Sequence, residues 1–154
     1  MKGRPAPIRG AGEQGFVGGF EGLLFGFLIF VIGTLIVAHA WGVVDTKFAV
    51  VEAAKQAART YVEAPSAAVA GPEARQAADQ ALAGYGRDPR RAVVSLASGE
   101  FLRCQRITIA VSYPAPILEL PVVGRVGTGQ SVRADHSELV DPYRTGLPGT
   151  SSCP

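Results

Sequence analysis

The chain has 154 residues, of which 47% are hydrophobic and 18% charged, and its net charge is +2. Residues 45–154 carry 12 basic and 11 acidic side chains, so no field of one sign favours nucleic acid as a partner. These roughly 110 residues are enough for one small domain beside a membrane segment.

The N-terminal part of the chain is organised around one apolar segment. Residues 1–15 are polar and rich in glycine and proline, and we interpret them as a short cytoplasmic leader. From Gly22 to Val44 the sequence is GLLFGFLIFVIGTLIVAHAWGVV, in which His39 is the only ionisable side chain. A helix of this length measures about 34 Å, whereas the hydrocarbon core of a bilayer is about 30 Å thick. The sequence therefore predicts a transmembrane helix over residues 16–44.

The charges beside this segment predict its orientation. Lys2, Arg4 and Arg9 precede it, whereas the charges of Asp45 and Lys47 cancel just after it. The positive-inside rule then places the N-terminus in the cytoplasm. We expect a single-pass protein of the cell membrane with an extracytoplasmic domain over residues 45–154.

A cleaved signal peptide is the competing interpretation of the same segment. The triplet Ala38-His39-Ala40 has the small-x-small form that signal peptidase accepts. The region before it is longer than the usual 15–30 residues, and apolar residues continue through Trp41, a residue typical of membrane interfaces. These features favour an uncleaved anchor.

Both cysteines, Cys104 and Cys153, lie in the part expected outside the membrane. An oxidising compartment favours a disulfide between them over two free thiols. The bond would close a loop of about fifty residues and stabilise the domain by about 3–4 kcal/mol.

The helix is expected to continue beyond the membrane, because no proline interrupts it before Pro65. An apolar stripe at helical spacing follows the span and predicts the side that packs on the rest of the domain. It consists of Phe48, Val51, Ala54, Ala58, Tyr61 and Val62.

A second, short helix is predicted from Gly71-Pro72-Glu73 to Gly84 or Gly86. Residues 92–97, 103–113 and 130–139 are predicted strands, the first two joined by a turn at Ser98-Gly99. The expected fold class is α+β: a long N-terminal helix, a short helix and a three-stranded, or with one more strand four-stranded, antiparallel sheet.

Two segments carry a resemblance to a known family. Residues 16–26, with Glu21 at the start of the apolar run, and residues 53–61 resemble the TadE-like family of tight-adherence (Flp) pilus proteins. The later segments ITIAVSYP and ELVDPYR are similar to its actinobacterial type. The resemblance implies a pilin-like, single-pass protein whose leader is removed after a glycine, with a glutamate at the fifth mature position. A cut between Gly15 and Phe16 makes Glu21 the sixth residue instead.

Gly18, Gly22 and Gly26 recur at intervals of four, and Gly33 follows seven residues later. Small residues on one face let helices approach closely in lipid, so this face predicts contact with a second copy or with another pilin-like subunit. The alternative is the ordinary abundance of glycine in membrane helices.

Glu21 has two interpretations. It could pair with the N-terminal amine of a neighbouring subunit, since an unpaired carboxylate inside a membrane is costly. Alternatively, it is solvated at the cytoplasmic interface, where the positive end of the helix dipole favours it.

The remaining polar residues suggest no catalytic centre. His39 is expected at the membrane interface, and His136 and Glu138 share one strand face, too few ligands for a metal. Arg87, Arg90 and Arg91 form a basic loop that is either solvated or in contact with lipid headgroups. We expect no cofactor, no metal and no enzymatic activity.

We therefore predict a non-enzymatic, pilin-like protein, a minor pilin or pseudopilin, that assists assembly or export of a Tad/Flp-type pilus. Its expected partners are membrane lipid and other pilin-like subunits or the Tad secretion machinery. The alternative is a membrane-anchored or secreted binding domain with no pilus role.

Overall fold

The computed structural model describes residues 14–115, 118–120, 124–126 and 129–153. The chain divides into two compact units, Met1–Ala38 and His39–Pro154. The fold is α+β, with a long N-terminal apolar helix, a second helix and a three-stranded antiparallel sheet, which confirms the predicted class.

Helix α1 runs from Gln14 to Glu63. No proline occurs within it, and Pro65 lies two residues after its end. The helix ends there because a proline disfavours helical backbone at the residue before it and donates no hydrogen bond. The prediction that the helix continues to about residue 64 is confirmed.

The buried side of α1 in the second unit is made mostly of alanine. Fully or almost fully buried residues repeat every three or four positions: Thr46, Ala49, Val50, Ala53, Ala54, Ala57, Ala58 and Tyr61, followed by Ala64 directly after the helix. The predicted stripe is therefore wrong at Phe48 and Val51, which are 63% and 43% exposed. Small alanine side chains let the backbone approach its neighbours closely, so the core selects this side over the one with the larger side chains.

Helix α2 spans Ala67–Gly84 and begins about four residues before the predicted start. Pro72 is consequently inside the helix. It cannot donate to the carbonyl of Ala68, but Ala68 is exposed, so water can hydrate that carbonyl. The buried side of α2 has a spacing of four residues: Ala70, Ala74, Ala78 and Leu82.

The main sheet has the strand order β1 (Val93–Ser98), β2 (Arg106–Pro114) and β5 (Ser131–Leu139). Both pairings are antiparallel, with Val94 opposite Val111 and Val111 opposite Ala134. The three predicted strands are thus confirmed. Between β2 and β5, the short strands β3 (Leu118–Leu120) and β4 (Gly124–Val126) form a separate two-stranded ladder.

The alternation predicted for β2 determines which face of the sheet is buried. Ile107, Ile109, Val111 and Tyr113 are buried with the alanines of the two helices in one hydrophobic cluster. On the opposite face the hydroxyl of Thr108 hydrogen-bonds that of Ser137 at 2.8 Å. The sheet therefore packs its apolar side on the helices and leaves a polar side outward.

The connection between β1 and β2 is longer than the predicted turn. Gly99 has a φ of +98°, and β2 begins only at Arg106. Between them Phe101 turns into the core, where its ring meets that of Tyr61 edge-on at 5.6 Å. Residues 99–105 therefore form a structured loop that covers one end of the helix.

The C-terminal tail is held at that same end. Cys104 and Cys153 form the expected disulfide, with their Cα atoms 5.0 Å apart. Arg144 donates hydrogen bonds to the carbonyls of Val62, Glu63 and Ala64, which are the last acceptors of α1. The tail thus supplies the C-terminal cap of the long helix.

Candidate functional site

The apolar part of α1 is the candidate site. Within the described chain, α1 carries the one segment long and apolar enough to cross a membrane, and none of that segment is buried. Its exposed large side chains include Phe20, Leu23, Leu24, Phe25, Phe27, Leu28, Ile29, Phe30, Ile32, Ile36 and Val37. So much exposed apolar surface is unfavourable in water, and lipid or other apolar helices are its natural surroundings.

Glycines form an open face on this helix. At Gly19, Gly22, Gly26 and Gly33, a Cβ atom would have no neighbour within 4 Å. A residue advances about 100° around a helix, so these four glycines and Gly18 fall within about 100° of one another. The face is thus open to contact at Gly19, Gly22, Gly26 and Gly33, and Gly19 belongs to it in addition to the predicted glycines.

Glu21 lies beside this face, about 100° around the helix from Gly22. With Leu24, Phe25 and Leu28 it lines a shallow apolar groove on the neighbouring side of the helix. Its carboxylate is exposed. A partner helix that packs on the glycines would have Glu21 at the edge of the contact.

The expected leader junction lies at the beginning of α1. Gly15 and Phe16 belong to the first turn of the helix, which starts at Gln14. Residues 1–13 of the predicted leader lie outside the described residues.

A second apolar stripe occurs on the part of α1 that belongs to the second unit, His39–Pro154. Trp41, Val44, Phe48 and Val51 are exposed, with Trp41 at 73%. Their spacing of three and four residues places them on one side of the helix, opposite the buried alanines. The stripe ends at Lys55, which is exposed in the same direction. The sequence pattern places Phe48 and Val51 in the core, so this exposed surface is not evident from the sequence.

The basic loop follows helix α2. Arg87 forms an ion pair with Asp45 of α1. The backbone N–H of Arg90 donates to Asp88 at 3.1 Å, and its side chain donates to the same oxygen at 3.2 Å. These hydrogen bonds, the backbone one first, lower the pKa of the Asp88 carboxyl. Asp88 thereby caps the short 3₁₀ turn Pro89–Arg91.

The histidine and carboxylate predicted to share a strand face do so. His136 Nε2 lies 3.1 Å from Glu138 Oε1, on the side of β5 that faces the helices. Among the described residues no group of three or more His, Cys, Asp or Glu side chains could hold a metal ion. The pair is a local hydrogen bond at the edge of the sheet.

No protein-family model, curated protein or solved structure matches this chain.

Proposed function

We propose that this chain is a non-enzymatic, pilin-like membrane protein that assists assembly or export of a Tad/Flp-type pilus. It acts through helix packing in the membrane and displays a small domain outside. The N-terminus is cytoplasmic, and residues 45–154 are extracytoplasmic.

The open glycine face of α1 is the observation that carries this proposal. A plain anchor requires only apolar side chains, so the clustering of five glycines on one side favours helix packing over the general abundance of glycine in membrane helices. Backbone exposed along such a strip permits close contact with another helix and many van der Waals interactions. The resemblance of residues 16–26 and 53–61 to TadE-like proteins suggests that the partner is a pilin-like subunit.

The disulfide supports the extracytoplasmic location of the second unit, His39–Pro154, which we name the outer unit. Cys104 and Cys153 are bonded, and such bonds persist in oxidising compartments. The excess of basic residues before the span supports the same orientation.

Association in the membrane tests the role of the glycines. We expect the double substitution Gly22→Leu and Gly26→Leu to weaken association of the full-length protein in detergent or bilayers about tenfold or more, about 1.4 kcal/mol. Thr34→Leu with Ala38→Leu is the matched control, because it also enlarges small residues of the span but lies about 120° around the helix. Equal association of both variants with wild type would reduce the segment to a plain anchor.

The pilus role is tested in the source organism. Deletion of the gene should abolish surface pili, and wild-type chain should restore them, whereas the Gly22→Leu, Gly26→Leu variant should not. Genes for a secretion ATPase and a Tad-type membrane platform should lie nearby, and normal piliation in the deletion strain would refute the proposal.

The intact mass of the mature protein tests the processing step. A start at Phe16 or Val17 indicates prepilin processing, and a start at Met1 indicates an unprocessed anchor. A start at Trp41 indicates a cleaved signal peptide and would refute the membrane-embedded role.

A further inference from the structure

The end of the outer unit at which α1 enters it is built from several parts of the chain. α2 has 18 residues and is about 27 Å long, which equals the distance along α1 from Asp45 to Glu63. The ion pair between Arg87 and Asp45 shows that the chain after α2 has returned to the level of Asp45. Residues 85–91, here named the return loop, therefore lie beside Asp45, the residue that follows the apolar run.

The sheet confirms which end this is. Lys47 donates a hydrogen bond from Nζ to the carbonyl of Arg133, near the start of β5. Pro114, the last residue of β2, is opposite Ser131 in the ladder, so both strands have their return-loop ends here. The disulfide and the Arg144 cap lie at the other end of the unit, around the last turn of α1.

The side chains of the return loop are those found where proteins meet lipid headgroups. Tyr85 is 45% exposed, and the side chain of Arg90 is 92% exposed. Arg91 is also exposed, and its guanidinium lies 5.5 Å from the centre of the Tyr113 ring. Tyrosine is enriched at the membrane interface, and arginine is attracted to anionic phospholipids.

The helix at the same level presents apolar aromatic side chains beside Asp45: Trp41 lies about 40° and Phe48 about 60° around the helix from it. Phe48 lies about 6 Å further along α1 than Val44, the last apolar residue of the span. This distance is within the 5–8 Å or so that each headgroup layer adds to the hydrocarbon core. Phe48 is therefore at headgroup depth, at the same level as the return loop beside Asp45, and Trp41 is at the outer edge of the span.

We propose that the return loop binds the headgroups of anionic phospholipids and holds the outer unit against the membrane surface. The loop and Asp45 together have a net charge of +1, from Arg87, Arg90 and Arg91 against Asp45 and Asp88. Arg87 is paired with Asp45 and its side chain is only 23% exposed. Arg90 shares the Asp88 carboxylate but stays 92% exposed, and Arg91 is exposed, so these two side chains can reach lipid phosphate. The inference rests on the membrane span of the proposed function but not on the pilus role.

The single tryptophan of the chain makes a direct test feasible. In a Trp41→Phe background, Tyr85→Trp places the only tryptophan in the return loop. The full-length protein is reconstituted into phosphatidylcholine vesicles with or without phosphatidylglycerol, each containing a lipid with a nitroxide on its headgroup. We expect stronger quenching of the loop tryptophan in the anionic vesicles, and loss of the difference at high salt.

Charge reversal tests the arginines with a matched control. Arg90→Glu should lower the ratio of lipid-bound to lipid-free loop at least about fivefold, because loss of one basic side chain at an anionic surface accounts for that factor and the new negative charge adds to it. Arg59→Glu is the control, since Arg59 is also an exposed arginine paired with a nearby carboxylate, but it lies about 21 Å further along α1 than Asp45. It should leave the quenching unchanged.

Four results would overturn the inference. Equal quenching in neutral and anionic vesicles, or equal quenching of the Trp41→Phe, Tyr85→Trp protein with and without Arg90→Glu, would show that the loop does not bind anionic headgroups. Quenching that rises as the protein is diluted in the membrane would show that a second copy covers the loop instead. If alkaline carbonate extracts the chain from the vesicles, the membrane span itself fails, and with it the proposed function.

Discussion

Arg144 is predicted to be the most important single side chain for the stability of the outer unit outside its core. Its guanidinium donates to three consecutive carbonyls at the end of α1, Val62, Glu63 and Ala64. It also lies 5.7 Å from the centre of the Phe101 ring. Arg144→Ala removes all of these interactions at once.

The expected loss follows from these contacts. A hydrogen bond contributes about 1 kcal/mol net, and a cation over an aromatic ring about 0.5 kcal/mol at a partly exposed site. Water can replace part of the lost bonding to the carbonyls, so we expect a loss of about 2–3 kcal/mol. For a unit of this size the melting temperature should fall by about 8–12 °C.

Calorimetry of the full-length protein in detergent measures this change. Arg144→Lys is the informative companion, because it keeps the charge near the helix dipole but not the planar fork that reaches three carbonyls. We expect it to recover less than half of the loss. Arg106→Ala is the control, since Arg106 is exposed at the start of β2. A loss below about 0.5 kcal/mol for Arg144→Ala would refute the capping argument.

Three further predictions concern the outer unit. Gly99→Ala should lower the free energy of unfolding in urea by about 3 kcal/mol, because φ is +98° and the new Cβ would meet the Arg106 carbonyl and lie 2.9 Å from Ile107 Cδ1. Gly86→Ala is the control: its φ is +68° but the space around it is open, so it should cost only about 1 kcal/mol. Equal costs for the two substitutions would contradict the steric argument. Cys104→Ser with Cys153→Ser should lower the free energy of unfolding by about 4 kcal/mol, since the disulfide joins residues 49 apart, and a reducing agent should then have no further effect. By NMR, the pKa of the Asp88 carboxyl should lie below its ordinary value of 3.8. Its stabilisation of the 3₁₀ turn should therefore be complete above pH 3.8 and be lost as the pH falls through the lowered pKa. A midpoint at or above 3.8 would contradict the capping hydrogen bond from Arg90.

The sequence by itself determined the features that depend on local pattern. An apolar run of 23 residues predicts the exposed helix, and the absence of proline up to Pro65 predicts how far it extends. The alternation from Ile107 to Tyr113 correctly predicted the buried face of β2. Each of these signals is contained in consecutive residues, so no knowledge of neighbours in space was needed.

The interior side of α1 was decided only by the tertiary structure. Phe48 and Val51 form as regular a helical pattern as Ala49, Val50 and Ala53. A pattern identifies two candidate sides, and the choice between them depends on how closely the sheet and α2 must approach the helix. The alanine side permits that approach, which leaves the aromatic side outward.

Contacts between residues far apart in sequence were likewise invisible in the sequence. Arg144 lies about eighty residues after the carbonyls it caps, and Arg87 lies 42 residues after Asp45. Any of several arginines could have filled either role, because charge and spacing do not specify which side chain reaches a given helix end. The fold selects them by bringing the tail to one end of α1 and the return loop to the other.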